Sequence, residues 1–93
     1  MSSKAERWAA REIVSTYHEA RLTELVQRVG DAVDSLRAGE IDAFEVDHVI
    51  FQYSRAAKEL WKFCNLADIQ ITARAIGDSP PLDWWQRGAP SRR

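Results

Sequence analysis

The sequence predicts an all-α protein: an antiparallel hairpin of two long helices with a short C-terminal tail, which dimerises into a four-helix bundle. Apolar side chains recur every three or four residues along most of the 93-residue chain, the spacing of an amphipathic helix. The four glycines and three prolines lie almost entirely where such helices would end. We expect the hairpin over residues 1–77, with helices at about 3–38 and 42–76, and the tail over 78–93.

The composition excludes several classes of protein. Thirteen basic and fourteen acidic side chains leave a net charge of −1, whereas binding through nucleic-acid phosphates favours a basic excess. A nucleic-acid partner is therefore not expected. The single cysteine excludes an intrachain disulfide, and zinc sites with several thiolates. No apolar run approaches the ~18 residues of a membrane span, and residues 1–12 are too charged for a signal peptide. We expect a cytoplasmic protein with no membrane partner and no cofactor.

The first helix is regular only in its C-terminal half. One side there carries an apolar line, formed by Leu22, Leu25 or Val26, Val29, Val33 and Leu36. Towards the N-terminus the same side continues as His18, Ser15 and Arg11. Gly30 lies inside the pattern and costs about 1 kcal/mol relative to alanine. This glycine indicates a kink or a close crossing of two helices, or it is simply tolerated within the helix.

Capping residues define both ends of the second helix. Asp42 is a good N-cap because its carboxylate accepts from free backbone N–H groups, and Glu45 completes a capping box. Gly77 predicts the C-terminus, with Pro80 shortly after it. A helix between these signals has about 34 residues and a length of about 50 Å.

The second helix carries two apolar lines on opposite sides, which predicts two neighbours. The principal line contains Val46, Val49 or Ile50, Tyr53, Ala57, Leu60, Cys64, Ala67, Ile71 and Ala75. The second line contains Phe44, His48, Phe51, Arg55, Lys58, Lys62, Leu66, Ile69, Ala73 and Ile76. Two helices cannot enclose a core alone, so we expect a second copy, helped by the tail, to cover the second line. The alternative is a monomer wrapped by its own tail.

The tail carries adjacent tryptophans after two prolines. They serve either as a docking peptide for another protein or as a cover for the end of the hairpin. We expect the chain after Gly88 to be disordered. Two neighbouring tryptophans rarely both stay exposed, since each can bury ~150–250 Å². We favour the second interpretation, in which the tryptophans cover the end of the hairpin. The predicted interface with a second copy comprises Phe44, His48, Phe51, Leu66, Ile69, Ile76, Trp84 and Trp85.

A polar group provides the alternative function, a small-ligand or enzymatic site. Arg11, Ser15 and His18 lie on the inner side of the first helix, and pairing across the turn brings His18 level with Cys64. A Cys–His pair is the nucleophile and base of several hydrolases. No glycine-rich loop or helix N-terminus approaches to form an oxyanion hole. A buried cysteine beside a satisfied histidine is the simpler interpretation, and an enzyme is not favoured.

A basic strip provides a third function, a regulator that binds an acidic or nucleic-acid partner. Arg55, Lys58 and Lys62 lie in the middle of the second line. The simpler interpretation is a solvated face whose charges pair with Glu59 or with a neighbouring subunit.

Metal binding is not expected. Glu45 and His48 match the Glu-x-x-His spacing of di-iron bundles, but such a site needs two of these motifs and two further glutamates. Ser15 stands where a second motif before His18 would need glutamate. The favoured function is therefore a small helical homodimeric interaction or scaffold module of unknown biological role.

Overall fold

The computed structural model describes residues 3–78 and 82–90, which form four helices without a strand in those ranges. The helices are α1 (Lys4–Arg37), α2 (Ala43–Asn65), α3 (Ile69–Asp78) and α4 (Trp84–Arg87). The predicted all-α class is confirmed. Pro80 and the end of the tail, residues 91–93, for which we made predictions above, lie outside the described residues.

Local signals begin and end the two long helices. The Ser3 hydroxyl accepts from the Glu6 N–H at 3.0 Å to cap α1. Gly39 has a φ of 77°, a left-handed conformation that would strain most side chains, and it forms the turn after α1. Asp42 caps α2 as predicted, accepting from the Glu45 N–H at 2.9 Å. The helix α1 runs through Gly30 without interruption.

The helices α1 and α2 pack antiparallel. Tyr17, in the N-terminal half of α1, contacts Phe63 near the end of α2, with ring centroids 5.8 Å apart. Ala32 of α1 and Val49 of α2 line the same groove near the turn. This register is close to the one expected from pairing across the turn. The core between them and the tail comprises Val14, Leu25, Ala56, Leu60, Cys64 and Trp84.

Residues 42–76, predicted as one helix, form two helices, because the helical conformation is interrupted at residues 66–68. The side-chain amide of Asn65 donates to the Trp61 carbonyl at 2.9 Å where α2 ends. The Asp68 carboxylate then accepts from the backbone N–H groups of Gln70, at 2.9 Å, and of Ile71, at 3.4 Å. This carboxylate takes N–H groups that a continuous helix would bond to its own carbonyls.

The break ends the second apolar line of α2 at Leu66. The apolar residues beyond it, Ile69, Ala73 and Ile76, are half-buried and pack against the core of the same chain. They therefore do not continue the exposed face that holds Leu66. The new helix α3 packs mainly against α1, so the chain itself provides part of the cover that we assigned to a second copy.

The tail docks against one side of the hairpin. Trp84 is only 4% exposed, and its indole N–H donates to the Tyr17 hydroxyl at 2.8 Å. The centroid of its ring lies 5.3 Å from that of Phe63. Asp83 caps α4 by accepting from the Gln86 N–H at 3.1 Å. These contacts make Trp84 part of the core, and the tail covers one side of the hairpin, whereas we expected the tryptophans to cover its end.

Two side chains of α2 bind the main chain of the tail. The Gln52 side-chain amide donates to the Trp85 carbonyl at 2.9 Å, and Arg55 Nε donates to the Gly88 carbonyl at 2.6 Å. The buried Gly88 lies against the backbone of α2 at Ala56. The tail is thus attached by buried aromatic packing at one end and by hydrogen bonds at the other.

Candidate interaction surfaces

The polar group of the alternative function is dispersed. Ser15 and His18 line a shallow depression of about 240 Å³ with two neighbours on α1. Arg11 borders a separate depression at the N-terminal end of that helix. Cys64 is 3% exposed, inside the core, and lines neither depression. The predicted site of four residues is not assembled, because Arg11 and Ser15 are exposed on α1 whereas Cys64 lies inside the core.

The Cys64 thiol is in the wrong protonation state for a nucleophile. Burial raises its pKa above the ordinary value of 9.0, so the folded chain keeps the thiol protonated. A catalytic cysteine needs a lowered pKa and some exposure to substrate.

The Cys64 thiol is expected to resist alkylation in the folded protein. At pH 7.5 its reaction with iodoacetamide should be roughly 100-fold slower than in the urea-unfolded chain, because the thiolate forms only after local opening. Because the thiol pKa is higher in the folded chain than in the unfolded chain, this difference contributes to stability at pH values below the ordinary thiol pKa. The contribution is lost as the pH rises through the raised pKa. Mass spectrometry of timed samples measures the rate. Equal rates in the folded and unfolded chains would contradict the buried placement.

The predicted basic strip is divided among three environments. Arg55 binds the tail through the Gly88 carbonyl. Lys62 Nζ lies 3.5 Å from a carboxylate oxygen of Glu59, so the predicted pairing with Glu59 occurs for this lysine. Lys58 is exposed to solvent. Because the tail engages its arginine, the strip does not form one free basic surface.

Acidic side chains near the turn do not form a metal site. Within residues 3–78 and 82–90, no three histidine, cysteine, aspartate or glutamate side chains are grouped as metal ligands would be. The Asp42 carboxylate is used to cap α2.

Among residues 3–78 and 82–90, none of the helices combines the length and the apolar character that a membrane span requires.

The eight residues of the predicted interface do not share one surface. Phe44, Phe51 and Leu66 are 77%, 57% and 69% exposed, and His48 is also exposed. The other four pack within the chain: Trp84 is buried, and Ile69, Ile76 and Trp85 are half-buried against the core. The reason is the break after Leu66 together with the docking of the tail.

The tail covers only one side of the hairpin. It binds α2 through Gln52 and Arg55, and on α1 it contacts Tyr17 and Arg28, whose guanidinium lies 5.2 Å from the Trp85 ring centroid. Between α1 and the tail lies a polar pocket of about 430 Å³, which contains two arginines and three acidic residues. The mixed charges of this pocket give it no clear ligand preference.

The opposite side of the hairpin, the uncovered flank, is apolar. It comprises Leu22, Val26, Val29 and Val33 of α1 with Ile50, Ala57 and Trp61 of α2. Each helical residue advances by about 100°, which places these positions more than a quarter turn from those that meet the tail. Val26, Ile50 and Trp61 are 51%, 44% and 52% exposed. None of the seven residues is charged.

The uncovered flank has a sequence signal that we interpreted too narrowly. The apolar lines contained the doublets Leu25–Val26 and Val49–Ile50, and we treated the two members of each as alternatives for a single position. In the structure Leu25 is buried and Val49 half-buried, while Val26 and Ile50 emerge on the flank. A doublet widens an apolar stripe by about 100°, more than one neighbouring helix covers.

An acidic groove of about 650 Å³ lies at the turn end of the hairpin. Its carboxylates come from Asp31, Asp42 and Glu45, and its apolar side chains from Ala32, Ile41, Phe44 and Val49, with Ser35 and His48 completing the lining. The groove combines exposed apolar surface with negative charge.

Comparison with known proteins adds no functional information. No protein-family model, no curated protein and no solved structure matches this chain. The function is therefore inferred from the geometry alone.

Proposed function

We propose that the chain is a small helical interaction module that pairs with a second copy of itself through the uncovered flank. The supporting observation is the exposure of Val26, Ile50 and Trp61 on one side of the hairpin, on a flank whose seven residues are all uncharged. Burying a large apolar side chain contributes about 1.5–3 kcal/mol, so a partner that covers all three gains substantial free energy.

The shape of the uncovered flank favours an identical flank as its partner. Two antiparallel helices present two ridges with a groove between them, and a second such pair can pack onto them as a four-helix bundle. Two-fold symmetry uses every apolar contact twice. The second apolar line of α2 offers less apolar surface to a partner, because Phe44 and Phe51 protrude from one helix only.

The position of the tail favours a closed dimer. Trp84 and Gly88 fill the other side of the hairpin, so α1 and α2 together offer one flank for pairing. An assembly through one self-complementary surface stops at two copies. We also propose a cytoplasmic location, because a reducing compartment keeps free thiols such as Cys64 reduced.

Two lysines on the uncovered flank are expected to abolish pairing without unfolding the chain. In the Val26→Lys/Ile50→Lys variant, each dimer would bury four unpaired ammonium groups, each at a cost of several kcal/mol. The dimer dissociation constant should rise at least about 100-fold. Both positions are exposed within one chain, so the helical circular dichroism should stay unchanged. Sedimentation equilibrium measures the mass.

The control for this variant is Ile13→Lys, which changes a similarly exposed residue (47%) away from the flank. It should remain dimeric. Phe51→Glu tests the second apolar line of α2, which the sequence favoured as the interface, and it should also leave the dimer intact. A dimer that survives the two lysines but is lost in Phe51→Glu would place the interface on the second apolar line.

A further inference from the structure

The N-terminal end of α1 carries a basic patch around an exposed tryptophan. Lys4, Arg7 and Arg11 surround Trp8, which is 63% exposed, and together they border a depression of about 510 Å³. The spacing of three, four and seven residues puts them on one face of the helix. Within the described part of the chain, none of the three cations forms an ion pair. We call this the basic end.

The acidic groove at the turn has the complementary chemistry. Asp31, Asp42 and Glu45 supply three negative charges, and no cation pairs with them among the described residues. Phe44, 77% exposed, gives the groove an apolar wall on which an aromatic ring can pack. The groove is therefore suited to a segment that combines several positive charges with a large apolar side chain.

The basic end and the acidic groove of one chain cannot meet. Arg11 and Asp31 lie on the same uninterrupted helix, twenty positions apart, which corresponds to about 30 Å. The helix α1 holds them at this separation, so only another molecule can bring them together.

We propose that the acidic groove binds the basic end of another copy of this chain, head to tail. Trp8 would pack against Phe44, while Arg7 and Arg11 face Asp31 and Glu45. The basic end lies on the same side of α1 as the uncovered flank, about 16 Å beyond Leu22 along the helix. The head-to-tail contact goes beyond the proposed dimer. Because the two surfaces are different, each copy that joins by one of them keeps the other free to bind a further copy.

Charge reversal and mixing test this contact. One variant carries Arg7→Glu and Arg11→Glu, and the other carries Asp31→Lys and Glu45→Lys; Asp42 is kept because it caps α2. At about 20 mM salt the wild-type mass should rise with concentration above that of the dimer, and at about 500 mM it should return to the dimer, because salt screens the contact. Each variant alone should associate end to end about tenfold more weakly.

Mixing the two variants in equal amounts should restore the growth in mass. Each reversed end then meets a reversed groove, and each native end meets a native groove. A control with Glu19→Lys and Asp47→Lys reverses two exposed charges outside the groove, and it should behave as the wild type. Circular dichroism verifies that every variant is folded.

The results separate this contact from the proposed dimer. In the Val26→Lys/Ile50→Lys variant, growth at low salt should start from single chains, so loss of the dimer leaves the head-to-tail contact measurable. The head-to-tail contact is overturned if the wild-type mass is the same at both salt concentrations, if neither reversal weakens growth, or if mixing fails to restore it.

Discussion

Replacing Trp84 with alanine is expected to lower the free energy of unfolding by about 3–5 kcal/mol. The side chain is 4% exposed and fills the space between α1, α2 and the tail. Its removal leaves a cavity beside Phe63 and takes away the hydrogen bond to the Tyr17 hydroxyl. A domain of this size is expected to have a stability of roughly 5–14 kcal/mol, so the loss is a large part of the total. Urea unfolding followed by circular dichroism measures it.

A second tryptophan provides the matched control for Trp84→Ala. Trp8 is 63% exposed, so Trp8→Ala, measured in dilute solution at high salt, should change the stability by less than about 1 kcal/mol. Tyr17→Phe isolates the hydrogen bond, because it leaves the buried indole N–H without its partner, at a cost of about 1–3 kcal/mol. Equal losses for Trp84→Ala and Trp8→Ala would contradict the docking of the tail.

Replacing Gly88 with alanine is expected to displace the tail and to cost about 2–3 kcal/mol. The backbone at Gly88, with φ of −91° and ψ of 0°, is accessible to other residues, so the cost is steric. An added Cβ would lie 2.5 Å from the Gln52 carbonyl oxygen and 2.6 Å from the Ala56 nitrogen, both in the backbone of α2. The helix cannot retreat, so the tail moves and the hydrogen bond from Arg55 is lost.

Tryptophan fluorescence and urea unfolding together measure the effect of Gly88→Ala. The emission should shift to the red as the indoles of the tail become exposed, while the helical signal of α1 and α2 is retained. The control is Gly77→Ala: nothing lies within 4 Å of its added Cβ, and alanine at this position in α3 should raise the stability by up to about 1 kcal/mol. A stable Gly88→Ala variant with unshifted emission would show that the tail does not contact α2 as described.

Features that depend on neighbouring residues could be predicted from the sequence. The cap at Asp42 involves residues three positions apart, so a short stretch of sequence contains its whole cause. The antiparallel register followed from the short connection between the helices. The break at Asp68 is also local, and the neighbouring Asn65 was a signal for it. We missed it because the apolar spacing continues across residues 66–68.

Features that depend on distant parts of the chain could not be predicted. The need to bury the tryptophans of the tail was clear, but the side of the hairpin that they cover depends on contacts such as Trp84 with Tyr17, which are 67 positions apart. The division of the apolar residues between core and flank depends on the width of the contact between the helices. The predicted interface therefore included Ile69, Ile76 and Trp84, which pack inside the chain.

The mass of the wild-type chain in solution tests the proposed pairing most directly. Sedimentation equilibrium at about 500 mM salt, where the head-to-tail contact is screened, should give twice the chain mass of 10.6 kDa at micromolar concentrations. The Val26→Lys/Ile50→Lys variant under the same conditions should give the mass of one chain. A wild-type mass of 10.6 kDa at all concentrations would contradict a dimer built on the uncovered flank.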